Sequence, residues 1–237
     1  MTAAYFDALD ATWPAAEMFD LDGWRLRRGA GGGKRVSAAT SLAPGADPSL
    51  AVEAMERMGQ TPLFQLRDDE TDLDAELAAR GFEIVDPVLI YEVDIAELTH
   101  DDPEIAKVFR AAGPAALLEE IWAAGGIGPE RLAVMNRAAG PKVWLCARLG
   151  DRPGGVAFCA VAGEIAMIHA IEVIPAQRRQ GAARRLITGA ANFAADNGAS
   201  KLALAVTRAN APANALYQSL GMTAAAKYHY RIRPDGA

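Results

Sequence analysis

Glu164-Ile-Ala-Met-Ile-His-Ala-Ile-Glu-Val-Ile-Pro175 runs into Ala176-Gln-Arg-Arg-Gln-Gly-Ala-Ala-Arg184 and then into an amphipathic stretch through Phe193. Ile165 to Ile174 is apolar and β-branched, and Pro175 stops it, which predicts a buried strand. Beyond Gly181 the apolar residues Ala183, Leu186, Ile187, Ala190, Phe193 and Ala194 fall on one face of a helix. The loop between, Arg178 to Ala183, carries two cations and no bulky apolar side chain. A strand feeding such a loop into a helix start offers free backbone N–H groups and the positive end of the dipole, a place for phosphate. Glycine and alanine there let the main chain approach a ligand closely. Taken alone, the loop also reads as an ordinary strand-to-helix turn with solvated arginines.

A second motif follows, Asn210-Ala-Pro-Ala-Asn214-Ala-Leu-Tyr217-Gln-Ser-Leu-Gly221-Met222. Together with Val173-Ile-Pro175 and Arg178-x-x-Gly181-x-Ala183, in this order and spacing, it resembles the GNAT superfamily of acetyl-CoA-dependent N-acetyltransferases. The resemblance covers Pro141 to Arg233 well, the helices before it moderately and the first hundred residues weakly. It implies an α/β fold, a GNAT-like mixed, mostly antiparallel twisted sheet flanked by helices. It also implies a function: transfer of an acetyl group from acetyl-CoA, as co-substrate, to a primary amine by direct attack. The acceptor class would be a small-molecule or peptide amine. A non-catalytic acyl-CoA-binding or regulatory module is the alternative.

By the same resemblance, the backbone amides of Arg179, Gln180, Gly181, Ala182, Ala183 and Arg184 would cradle the pyrophosphate, with Arg178 and Arg179 adding charge. Ile171, Glu172 and Val173 would part from the strand Lys201–Thr207 and pair with the pantetheine arm, an N–H near Val173 facing the thioester oxygen. Asn210 would hydrogen-bond the cofactor, and Tyr217 would stand beside the sulfur. A phenol, with an ordinary pKa of about 10, is protonated at neutral pH and suits a general acid. Some family members carry glutamate where Met167 or Ala205 stands here, so both familiar carboxylates are absent. The residues left for the base are His169, an imidazole with an ordinary pKa of about 6.5, and Glu172, which a local bulge would turn inward. A hydrogen-bonded core histidine is the other reading of His169. Glu164 could act through water, and His229, between Tyr228 and Tyr230, could line the acceptor pocket.

The 237 residues suffice for one large or two modest domains. Half the residues are apolar, which suits a soluble globular chain. A net charge of −6 argues against a general nucleic-acid binder and accommodates a cationic amine. Cys146 and Cys159 sit in strand-like runs and read as reduced core thiols. There is no basic start followed by an apolar core and no spanning apolar run, so a cytoplasmic protein with no membrane partner is expected; a homodimer is compatible. The three histidines have no metal-ligand spacing, and no metal is expected. Gly29–Gly33 fails the Walker pattern at Arg28 and Arg35, and Gly198-Ala-Ser200-Lys-Leu lacks the closing glycine of a nucleophile elbow.

In chain order, the patterns predict a short helix over 5–16 broken by Pro14, and a hairpin of 24–27 with 35–40 whose tip is 29–33. A helix over 50–59, a strand over 63–66, a helix over 72–80 and strand structure over 83–93 follow. Next come helices over 104–111, 115–123 and 130–139, strands over 142–149 and 155–161 joined by 150–154, and a closing strand over 227–232. The unit from Leu66 through Gly81 parallels that from Val206 through Gly221 at a constant offset of 221 − 81 = 140 residues. In the first copy Leu77 stands where Tyr217 does and the Arg-x-x-Gly-x-Ala loop is missing. The expected organisation is therefore a partial, degenerate GNAT-like N-terminal domain, 1–98, preceding a catalytic GNAT domain, 99–237, the acidic turn at Thr99–Pro103 marking the boundary.

Overall fold

The computed structural model describes residues 2–98 and 108–234. Among these the elements run α1 (Thr2–Thr12), β1 (Glu17–Leu21), β2 (Trp24–Arg28), β3 (Thr40–Ser41), α2 (Pro48–Arg57), β4 (Leu63–Arg67), α3 (Thr71–Ala79), β5 (Glu83–Asp94) and α4 (Ile95–Leu98). After the undescribed segment come β6 (Val108–Ala111), α5 (Ala116–Ala124), α6 (Pro129–Arg137), β7 (Lys142–Leu149), β8 (Arg152–Ala162), β9 (Ile165–Val173), α7 (Ala182–Asp196), β10 (Lys201–Thr207), α8 (Ala211–Ser219) and β11 (Thr223–Ile232). Contacts divide the chain into two units that interleave along the sequence. One comprises Met1–Pro14, Ile90–Ala205 and Pro212–Ala225; the other comprises Ala15–Leu89, Val206–Ala211 and Ala226–Ala237.

In the first unit the strands lie in the order β5-β10-β9-β8-β7-β6. β6 to β9 pair antiparallel in succession, whereas β9 and β10 pair parallel across α7. β8 is buried at every position from Gly154 to Val161, so both of its faces are covered. α1 and α5 pack on β8 and β9, and α7 packs on β7, β8 and β9. Phe158 and His169, a cross-strand pair, meet Trp13 just past α1, and His169 also meets Thr12 at its end, which leaves the opposite face to α7. α7 buries Leu186, Ile187, Ala190 and Ala194, in keeping with the 3.6-residue period.

The helix expected over 104–111 is corrected. Val108–Ala111 is a strand on the edge of β7, in register Val108↔Ala147 to Ala111↔Trp144. Residues 104–107, the boundary at Thr99–Pro103 and His100 lie outside the described residues. Tertiary context decides this segment: an open β7 edge supplies ladder partners, and Val108 seats against Gly189, where a Cβ would stand 2.8 Å from its Cγ1. β8 also starts earlier than expected, at Arg152, leaving Gly150-Asp151 as the turn.

In the second unit β1, β2 and β3 form a small sheet, and β11 pairs antiparallel with β4, Tyr228↔Arg67 to Ile232↔Leu63. The expected hairpin is half right: Trp24↔Ser41 and Arg25↔Thr40 pair, but Lys34–Val36 is one 3-10 turn. The longer partner of β2 is β1, across Asp22-Gly23, a hairpin signal the alternation count passed over. Trp24, Leu26, Met55, Phe64, Leu66, Leu77 and Phe82 make the core of this unit. Asp74 on α3 accepts from Arg231 Nε at 2.8 Å, Arg231 Nη2 at 3.0 Å and His229 Nε2 at 2.7 Å, and these partners, the Arg231 hydrogen bond first, hold its carboxyl below the ordinary range. His229 thus serves this ion cluster.

The internal parallel appears residue for residue. α3 spans 71–79 and α8 spans 211–219, and β5 and β11 begin at 83 and 223, each 140 apart. Both helices close alike, Phe82 N–H donating to Leu77 O at 3.0 Å and Met222 N–H to Tyr217 O at 3.1 Å. No helix among the described residues is long and apolar enough to cross a membrane.

Candidate active site

Among the described residues β9 and β10 pair at their starts, Lys201↔Ile165, Leu202↔Ala166 and Ala203↔Met167, and not beyond. β9 nevertheless continues to Val173, still paired on its other edge with β8 through Val156↔Glu172 and Gly155↔Val173. The β10-facing edge of β9 past Met167 is therefore open main chain, able to receive an extended chain.

Where the strands part, β9 bulges. Phe158 faces His169 and Val156 faces Glu172, so two residues of β8 span three of β9. The extra residue is at Ala170, whose φ of 50° is left-handed. A regular strand would put Glu172 on the face of Ile168; the inserted residue moves it to the face of His169 and α5. Its carboxylate, about one-fifth exposed, lies over Gly125 at the end of α5, where a Cβ would come within 2.5 Å of its Cδ. Arg178 Nη2 stands 3.8 Å from Glu172 Oε1, and its Nε donates to Val173 O at 3.4 Å.

Past the strand, Gln177 and Arg178 N–H groups close a tight turn on Ile174 O and Pro175 O. The six N–H groups from Arg179 to Arg184 meet no acceptor among the described residues. Arg179 at φ 60° and Gly181 at φ 85° bend the chain so that these donors precede α7 in succession. No side chain caps the helix and its first turn holds no acid, while Arg178, Arg179 and Arg184 are exposed. Gln180 bonds back to Ala176 O, Ala182 is buried and Ala183 half-buried, so the donors open outward beside small side chains. Such an array, with the helix dipole behind it, suits a diphosphate.

Tyr217 on α8 is buried, its ring 5.8 Å from that of Tyr91, and burial pushes its phenol up to about 12. Asn210 belongs to the other unit, where its N–H donates to Thr207 O. Ile171 and Val173 flank Glu172 on the open part of β9, half-buried.

His169 is engaged in packing. It is 4% exposed, its ring 5.0 Å from Trp13 and stacked with Phe158, and Nε2 lies 2.9 Å from Thr12 Oγ1. Thr12 spends its single proton on Ala8 O at 2.6 Å, so it accepts from the imidazole and Nε2 carries the hydrogen. Glu164 is exposed at the other end of β9, its carbonyl taking Ser200 and Lys201 N–H. From sequence Trp122 reads as core, on helices that by the resemblance flank the acceptor cleft, and Gly125 as loop; in the fold Trp122 Nε1 donates to Ala170 O at 2.8 Å and Gly125 lies under Glu172. No single-sequence signal separates this tryptophan from core or this glycine from loop. No cluster among the described residues could hold a metal ion.

Residues 114–222 match the Acetyltransferase (GNAT) family. Residues 114–222 form a GNAT acetyltransferase domain. An uncharacterised N-acetyltransferase of Bacillus subtilis (strain 168), YobR, is 25% identical over 240 residues, covering 94% of this chain and 95% of that one. A GCN5-related N-acetyltransferase from Kribbella flavida shares the fold over 100% of this chain and 96% of its own, with a TM-score of 0.73 at 21% identity. A tandem GNAT protein from the clavulanic acid biosynthesis pathway superposes with a TM-score of 0.62 at 12% identity, over 88% and 76% of the two chains. The bulge, the parted strands and the run of free amides all lie within the span of the GNAT domain.

Proposed function

We propose that this GNAT domain moves the acetyl group of acetyl-CoA to a primary amine, on a small molecule or peptide, by direct attack. The observation carrying the reading is the run of six main-chain donors, Arg179 to Arg184, following the end of the β9 edge that β10 leaves unpaired. The diphosphate of the co-substrate would lie on those donors with Arg178 and Arg179 beside it, and the pantetheine arm would extend along Ile171, Glu172 and Val173. The Glu172 carboxylate would take a proton from the ammonium, whose nitrogen then forms the new bond to the thioester carbon. The carbon–sulfur bond breaks as the Tyr217 hydroxyl gives its proton to the leaving thiolate, and the second proton shed by the new amide nitrogen passes through solvent back to the tyrosinate. This reading gives the base role to Glu172 rather than to His169, whose ring is 4% exposed and packed against Trp13 and Phe158.

The residue-for-residue recurrence of helix and strand starts supports an origin by duplication, with residues 1–98 as a degenerate GNAT-like copy and 99–237 as the catalytic one. Cys146 and Cys159, buried and unbridged, support a reducing compartment, and we assign the cytoplasm. A homodimer is compatible with this reading and is tested by light scattering. The function itself is tested by titrating acetyl-CoA in a calorimeter and then following thiol release with benzylamine, spermidine and a lysyl dipeptide. Saturable binding with amine-dependent thiol release is expected. Binding without turnover on any amine would favour a non-catalytic acyl-CoA module, and absence of binding would overturn the reading.

A further inference from the structure

We propose that Trp122 is a positioning residue: its indole N–H, holding the Ala170 carbonyl, fixes the bulge that turns Glu172 toward the acceptor, and Gly125 keeps the carboxylate's seat clear. The inference rests on Glu172 acting as the base. A bulge takes one carbonyl out of the strand ladder, and in a buried setting that carbonyl needs a donor. Ala170 O receives it from Trp122 Nε1 at 2.8 Å, and the donor side chain is fully buried. Ala170 adopts φ 50° although alanine gains nothing from that region, so something outside the strand selects it. Regular alternation is the competing arrangement, and it would put Glu172 on the opposite face.

Gly125 follows Trp122 by three residues, so both project from one side of the last turn of α5. One residue grips the bulge and the other makes room for its consequence. Any side chain at 125 would meet Glu172 Cδ, Oε2 and Cγ, at 2.5, 2.6 and 2.7 Å from the Cβ.

The test is a double-mutant cycle on the full chain, with acetyl-CoA and whichever of the three amines gives the highest kcat/KM. Trp122→Phe keeps most of the ring and removes the donor. It is expected to lower kcat about tenfold or more, as displacement of a catalytic group does, with calorimetric acetyl-CoA affinity held within about twofold. In a Glu172→Gln background the same change should cost less than about twofold, since the residue it positions is already disabled. Gly125→Ala should repeat this pattern and serves as the independent variant if Trp122→Phe does not fold. Equal losses in both backgrounds, or no loss in either, would overturn the proposal while leaving the function intact. Glu172→Gln as active as the wild type would remove the base and this inference with it; failure of the wild type to bind acetyl-CoA would remove the functional reading first.

Discussion

Gly181→Ala, compared with Gly198→Ala, isolates the amide turn from the helix it starts. Both glycines flank α7, at φ 85° and φ 82°, and at both a Cβ would meet nothing within 4 Å. Each substitution therefore carries the same left-handed strain, about 1–2 kcal/mol for alanine. At 198 the cost has one outlet, the stability of the fold. At 181 the exposed turn relaxes, and recovers its shape only when ligand forces it back. Relaxation rotates the amides on either side, and loss of even one hydrogen bond to a charged phosphate oxygen adds about 1.5–3 kcal/mol. Urea unfolding and calorimetric titration with acetyl-CoA, run on both variants, divide the cost. The expected result is about 1–2 kcal/mol of destabilisation and unchanged affinity for Gly198→Ala. For Gly181→Ala the summed losses should exceed that by at least about 1.4 kcal/mol, with affinity down about tenfold or more. Equal affinity for both variants and the wild type would refute the argument that this turn grips the co-substrate.

Tyr217→Phe should lower kcat by about a hundredfold at neutral pH, the scale of a lost general acid, with acetyl-CoA affinity retained by calorimetry. The same residue affects alkaline stability. Its folded phenol titrates at about 12, above the unfolded value of about 10, so its contribution is full below about pH 10 and is lost as pH rises toward 12. Tyr217→Phe should make the fall of urea stability between about pH 10 and 11 shallower, by up to about 1.4 kcal/mol; an unchanged slope would contradict the burial argument. Thr12→Val leaves the Nε2 hydrogen of His169 without its acceptor and should cost about 1–3 kcal/mol of stability by urea titration, while kcat per folded molecule stays near wild type; a selective loss of kcat would restore His169 to the chemistry. Asp74→Asn should weaken the hold on Arg231 and His229 and lower urea stability by about 2 kcal/mol at neutral pH. Because the Asp74 carboxyl is held low, that difference should shrink as pH falls through the carboxylate range.

The strand, turn and helix from Ile165 to Asp196 were legible because three local signals agree: a β-branched run, a proline stop and a 3.6-residue face. The 140-residue parallel was legible for a similar reason, since Gly81 and Gly221 follow helices of identical span. Val108–Ala111 was not, because four residues carry too little pattern and a neighbouring edge strand decides their state. The same limit applies at the site. Two alternatives for the base, His169 and Glu172, hinged on one backbone dihedral, and period-two counting cannot see a bulge. The bulge in turn answers to Trp122, 48 residues away in the chain, so the sequence around Ala170 holds no sign of it. His169 looked apt by chemistry, yet its environment is set by α1, through Thr12 and Trp13.

The most direct test of the account follows backbone amide resonances of the labelled protein while CoA is added. The signals of Arg179 through Arg184 should move together and saturate, with those of Ile171 to Val173 following as the arm fills the gap between β9 and β10. Saturable CoA binding that leaves the Arg179–Arg184 amides unmoved would contradict it.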